Sequence, residues 1–129
     1  MLLYSHSMEN NDIEKYINQG ILYDFYGKLL TQHQQRIYED VVFNDLSLSE
    51  IAENEGISRQ GVSDLIKRCN KSLVSYEEKL GLIKKFDETK SYVKEIQRIV
   101  KIYQDTKNEE LISKIEELSF KILDEIGRA

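Results

Sequence analysis

An all-α fold follows from three features of this sequence: no proline anywhere, apolar residues recurring at intervals of three and four, and capping signals wherever that periodicity breaks. Together they predict about six helices, arranged as a helix-turn-helix bundle with a long recognition helix and a C-terminal αα-hairpin.

The first helix is predicted from about Asn11 to Leu30. Leu22, Phe25, Tyr26 and Leu29 fall at i, i+3, i+4 and i+7, and Ile13, Tyr16 and Ile17 prolong the apolar side. Thr31 and Gln34 form a T-x-x-Q capping box that restarts the chain as a helix over Gln32 to Phe43. This helix buries Ile37, Tyr38, Val41 and Val42, and Asn44 and Asp45 end it. Ser47 and Glu50 repeat the capping signal for a short helix with Leu48, Ile51 and Ala52 inward.

Residues 48–67, LSEIAENEGISRQGVSDLIK, read as helix, glycine turn and helix. Ala52 is the small residue that two closely crossing helices need. Gly56 tolerates the positive φ of the turn, and Ser58 is a natural N-cap. Val62, Leu65, Ile66 and Cys69 then form the buried stripe of the second helix. Leu73, Tyr76 and Leu80 extend that stripe to Gly81, giving a helix of about 20 residues. Beyond it, Phe86, Val93, Ile96, Val100 and Tyr103 recur at coiled-coil-like spacing. After a polar break at Thr106 to Asn108, Leu111, Ile115, Leu118 and Ile122 recur likewise, with Ile126 behind them. The expected organisation is a leader over residues 1–7, a helix-turn-helix domain without a wing over 8–80, and a helical hairpin over 81–129 that packs on that domain or forms a dimer interface. The opening MLLYSHS reads as a disordered upstream extension or expression remnant, with Met8 as an alternative start.

Composition narrows the function. The net charge of −5, from 23 acidic against 18 basic residues, argues against a protein that coats nucleic acid through a broad basic surface. Cys69 is the only cysteine, so no internal disulfide framework exists, and its place on the apolar stripe makes it a small core residue. No apolar run approaches the ~18 residues of a membrane span, and the opening segment lacks the pattern of a signal peptide. A cytoplasmic location is expected.

Chemistry has little to stand on. His6 and His33 are the only histidines, and with one cysteine they supply no convincing zinc set. No phosphate loop or nucleophile elbow occurs. The pairs Glu77-Glu78, Glu109-Glu110 and Glu116-Glu117 read as solvated faces. No enzyme, cofactor or metal is expected. The remaining candidate site is the outer face of the second motif helix: Arg59, Gln60, Ser63, Asp64, Lys67, Arg68 and Lys71. Arg59, Gln60 and Ser63 lie where base edges are approached, and Arg and Gln suit guanine and adenine. Lys67, Arg68 and Lys71 are placed for backbone phosphates, whereas Asp64 would repel them. Residues 58–71 sum to +3, four basic against one acidic, and a solvated helical face looks much the same. Tyr16, Tyr23, Tyr26 and Tyr38 read as core or interface residues rather than base-stacking platforms.

The stretch LTQHQQRIYEDVVFNDLSLSEIAENEGISRQGVSDLIKRCNKSL resembles the promoter-reading fourth region of bacterial sigma factors in its Leu-Thr start, Gln-Arg pair, SLSEIAE and GISRQGV. With ILYDFYGKLLTQHQQ upstream and NKSLVSYEEKLGL downstream, the pattern more closely resembles the YlxM family of small bacterial proteins, strongly over about Asp12 to Leu82. That resemblance implies a small sigma region 4-like helical protein, encoded beside the signal recognition particle GTPase and linked to regulation of that pathway. Its DNA-binding positions would be Arg59, Gln60, Ser63, Asp64, Lys67 and Arg68, with no catalytic residues to carry over.

Two readings follow. In one, the protein is a regulator that binds duplex DNA or signal recognition particle RNA through this helix. In the other, the motif is a scaffold that docks on the signal recognition particle GTPase without touching nucleic acid. The basic face favours the first and the net acidity the second. A homodimer is expected in either case, because the apolar stripes exceed what a three-helix head can cover.

Overall fold

Side-chain caps at Thr31, Ser47 and Ser58 start three of the helices, and left-handed glycines at 56 and 81 end two. The computed structural model describes residues 12–127, with side chains from residue 18 onward. The expectations for the leader, for His6 and Met8, and for the side chains of Ile13, Tyr16 and Ile17 lie outside those described residues. The helices are α1 (Asp12–Tyr26), followed by a 3₁₀ turn (Gly27–Leu29), α2 (Gln32–Val42), α3 (Leu48–Glu55), α4 (Arg59–Leu80), α5 (Leu82–Thr106) and α6 (Glu110–Gly127). No strand occurs among the described residues, and the fold is all-α. The chain divides after Gly81 into two compact units, the first holding α1 to α4 and the second α5 and α6.

Both capping boxes form. The Gln34 amide donates to Thr31 Oγ1 at 3.1 Å while the Thr31 amide donates to Gln34 Oε1 at 3.0 Å. Ser47 and Glu50 repeat this at 3.1 and 2.9 Å. α2 ends near Asn44 and Asp45 as expected, with Asp45 at φ 57°.

α1 is shorter than its apolar pattern suggests. It tightens into the 3₁₀ turn at Gly27, and the change from 3.6 to 3.0 residues per turn rotates the following side chains. Leu29, expected inward, is therefore 56% exposed, and Leu30 is buried in its place. Gly27 is required here by packing, because a Cβ would lie 2.7 Å from Cε1 of the Tyr23 ring. That ring has no room to retreat: it stacks on Tyr38 at 5.2 Å between centroids, meets Phe43 at 5.7 Å, and donates its hydroxyl to Glu39 at 2.5 Å. Burial and the Glu39 carboxylate push the Tyr23 phenol well above its ordinary value, so it is a permanent donor.

The core of the first unit lies along α4. Val62, Leu65, Cys69 and Leu73 are buried, packing among Leu22 and Tyr26 of α1, Ile37 and Tyr38 of α2, and Ile51 and Ala52 of α3. Burial pushes the Cys69 thiol up, which keeps it protonated as a small apolar residue. The lower end of the stripe differs from expectation. Leu80 is 49% exposed and Tyr76 half-buried, whereas Glu77, read as part of a solvated face, is buried and accepts the Tyr26 hydroxyl at 2.5 Å. Spacings of four from Cys69 through Leu73 lead to position 77 rather than 80, and the phenol supplies the partner that a buried carboxylate needs. Tyr38 likewise donates to Asn70 Oδ1 at 2.6 Å.

In the second unit, α5 and α6 pair as an antiparallel hairpin. Asn108 caps α6 by accepting from the Glu110 amide at 3.0 Å. The protected seam runs through Tyr92, Ile96, Ile99 and Tyr103 of α5 and Leu111, Ile115, Leu118 and Ile122 of α6. Phe86, Val93, Val100 and Ile126, assigned to the same seam by spacing, are exposed instead. Each helix carries two adjacent apolar stripes, and periodicity alone merges them.

Gly27→Ala is expected to destabilise the protein by about 1–3 kcal/mol, the cost of overpacking a filled site. A lower urea midpoint with unchanged slope checks it.

Candidate nucleic-acid interface

The motif's geometry is set by three short-range devices. The Ser47–Glu50 box starts α3, and its backbone and hydroxyl donors hold the Glu50 carboxyl below the usual range. Gly56 closes α3 in the left-handed region at φ 71°, and the Ile57 amide reaches back to the Ala52 carbonyl at 3.1 Å. Ser58 then caps α4, its Oγ accepting from the Gly61 amide at 2.9 Å. A Cβ at position 61 would sit 3.1 Å from that oxygen, so the glycine keeps the cap open.

A fourth device is long-range. Arg36 of α2 donates from Nε and Nη2 to Glu55 at the end of α3, at 3.0 and 2.8 Å, and His33 Nε2 lies 3.5 Å from the same carboxylate. Arg36 holds the Glu55 carboxyl low and offsets an anion placed at the unfavourable end of a helix dipole. Sequence reading passed over this clamp because its partners are 19 residues apart, beyond any helical period.

On α4 the candidate residues share the side opposite the buried stripe. Arg59, Gln60, Asp64, Lys67, Arg68 and Lys71 are exposed and Ser63 is half-buried. Gln60, Lys67 and Lys71 lie near the centre, with Arg59 and Ser63 on one flank and Arg68 on the other; the set spans roughly 18 Å of helix. Its first turn holds no acidic residue, so the positive end of the helix dipole and Arg59 act together. Arg59, Lys67, Arg68 and Lys71 form no ion pair among the described residues. Asp64 is engaged otherwise, its Oδ1 accepting from Gln60 Nε2 at 2.9 Å. That bond draws the Gln60 amide along the helix and occupies one of the donors that adenine readout would use.

The tyrosines are core and packing groups. Tyr26 and Tyr38 are buried, and Tyr23 is stacked between helices, so none of the three offers an open ring face. Among the described residues no cluster of histidine, cysteine or carboxylate has metal-binding geometry. Among the described residues no helix is long and apolar enough to cross a membrane.

The family described as "Putative helix-turn-helix protein, YlxM / p13 like" (UPF0122) matches residues 13–118, spanning α1 to α6. The chain belongs to this family. It is 41% identical over 110 residues to a UPF0122 protein of Thermoanaerobacter sp. (strain X514), covering 84% of this chain and 94% of the relative. A UPF0122 protein of Caldanaerobacter subterraneus is 47% identical over 87 residues, 67% of this chain and 74% of its own. A third, from Clostridium kluyveri, is 44% identical over 106 residues, covering 80% and 93%. In this UPF0122 chain the motif is a helix-turn-helix whose second helix is buried on one side and exposed on the other.

Gly56→Ala places a Cβ in open space, so only the left-handed backbone resists it, and a loss of about 1–2 kcal/mol is expected by thermal unfolding. Acid should loosen the motif as well. The depressed carboxyls of Glu50 and Glu55 contribute stability above their ordinary value of 4.5 and lose it as pH falls through their lower folded values. Glu50→Gln keeps the capping bond without titrating, so its unfolding midpoint should vary less than that of the parent below pH 4.5.

Proposed function

We propose that this protein is a nucleic-acid-binding regulator that acts through α4 in the signal recognition particle pathway, binding rather than catalysing. The observation that supports it is the exposed face of α4, with Gln60, Lys67 and Lys71 along its centre and Arg59 and Arg68 on its two flanks, behind an acid-free first turn. Such a face offers the phosphate-binding charge that a helix entering a groove requires. The link to protein targeting rests on the resemblance to the YlxM family. Its ligand is duplex DNA or the particle's RNA. The reading places the protein in the cytoplasm, as a homodimer, because a two-fold DNA site needs two heads about 34 Å apart.

A second reading has its own observation. Gln60 is tied to Asp64, and the chain carries a net charge of −5, both of which suit a motif that docks on the signal recognition particle GTPase.

The two readings separate in one titration of the full chain against labelled signal recognition particle RNA and random duplex DNA at two salt concentrations. The first predicts binding that weakens steeply with salt, with the log–log slope falling by about one for each phosphate contact removed. Arg59→Ala with Lys67→Ala should weaken binding about tenfold or more. Unchanged binding in that variant would show that α4 is not the contact, and absence of binding to both nucleic acids at low salt would favour the docking reading.

A further inference from the structure

The hairpin of α5 and α6 carries an apolar face that its own pairing leaves uncovered. On α6, Phe120 and Leu123 are each 61% exposed and Ile112 is 49% exposed; on α5, Val93 and Val100 are also exposed. These residues belong to second stripes, each about a third of a turn further along the helical rotation than the stripe that closes the hairpin. Because the two helices run antiparallel, an equal rotation in each brings both second stripes out on the same side. The register agrees. Lys121 Nζ stands 6.0 Å from the Tyr92 ring centroid, and the Glu88 carboxyl lies beside that of Glu125. Val93 is thereby level with Phe120, and Val100 with Ile112.

Charge distinguishes the two edges of this face. The outer edge of α5 carries Lys90, Lys94 and Lys101, all exposed, while the outer edge of α6, beyond Phe120, carries Glu110, Glu117 and Asp124, with Glu116 standing within the strip itself. Over whole helices, α5 has six basic and four acidic residues, a net of +2, and α6 has two basic and five acidic, a net of −3. An apolar strip with one positive and one negative margin is complementary to itself when turned about an axis parallel to its length. That two-fold lays α5 of one copy on α6 of the other and brings opposite margins together on both sides. The alternative two-fold, perpendicular to the helices, sets lysine against lysine and glutamate against glutamate.

We propose that this face binds a second copy of the chain, forming a four-helix bundle in which α5 of each protomer lies antiparallel to α6 of its partner. The proposal deepens the homodimer of the functional reading and rests on it for the assembly, though not for the ligand. A four-helix bundle of this kind covers both stripes on every helix, which a lone hairpin cannot do.

Sedimentation equilibrium on the full chain tests it. The parent should sediment at twice its 15.2 kDa chain mass in the micromolar range. Leu123→Lys should sediment as a monomer with unchanged helicity, since that side chain is already mostly exposed. Reversing one margin with Lys90→Glu and Lys94→Glu, or the other with Glu117→Lys and Asp124→Lys, should weaken self-association about tenfold. An equimolar mixture of the two reversed proteins should regain parental affinity as a heterodimer, because each margin then meets its opposite. A parent that remains monomeric means the face is covered by something other than a second copy, and overturns the proposal. So do margin reversals that leave the dimer unchanged or tighten it. Loss of nucleic-acid binding with the dimer intact would sink the functional reading and leave this interface standing.

Discussion

The buried stripe of α4 is the constraint on which the first unit depends. α1, α2 and α3 each pack on α4, and Val62, Leu65, Cys69 and Leu73 supply the apolar surface they share. A short helix such as α3, eight residues long, has too few backbone bonds to persist alone and is held by this burial. Two polar anchors determine how α1 and α2 seat along the stripe. Tyr26 reaches Glu77 near its lower end, and Tyr38 reaches Asn70 near its middle. Each phenol places its ring in the core and its hydroxyl on one specific acceptor, so a shift of either helix would bury a polar group without its partner.

The division of α4 into two faces links this packing to function. The side turned to the core is apolar down to Leu73, and the opposite side is exposed and so can carry charge without a burial cost. Position on the helix separates the roles further. The first two turns are tied to the turn by Ser58 and Gly56, so the N-terminal end of the exposed face is the part whose direction is best determined. The Arg36–Glu55 clamp contributes modestly to stability, as exposed ion pairs do, but it constrains how α3 meets α2 and hence where α4 begins. The hairpin follows a different logic, in which two stripes per helix leave an apolar side that the pairing of α5 with α6 does not cover.

Much of this architecture was legible in the chain itself. Capping boxes at Thr31 and Ser47, the glycines at 56 and 81 and the absence of proline are local signals whose physics acts within four residues, and the helices begin and end where those signals stand. The alignment of Gln60, Lys67 and Lys71 on one side of α4, with Arg59 on its flank, was equally legible, since helical period alone dictates it. The burial of Glu77, the exposure of Leu29 and Leu80, and the Arg36–Glu55 clamp were not. Burial at a helix end depends on what the neighbouring helix presents there, and Tyr26 lies 51 positions from the glutamate that it satisfies. The sharing of Asp64 with Gln60 is an intermediate case, since i,i+4 spacing permits that bond but rotamer and surroundings select it. The sequence by itself therefore determined where helices start, which of their sides are apolar and which carry charge, because these follow from backbone geometry and period. Tertiary structure alone decided which apolar stripe is covered and which buried polar groups find partners, because both depend on contacts between residues far apart in the chain.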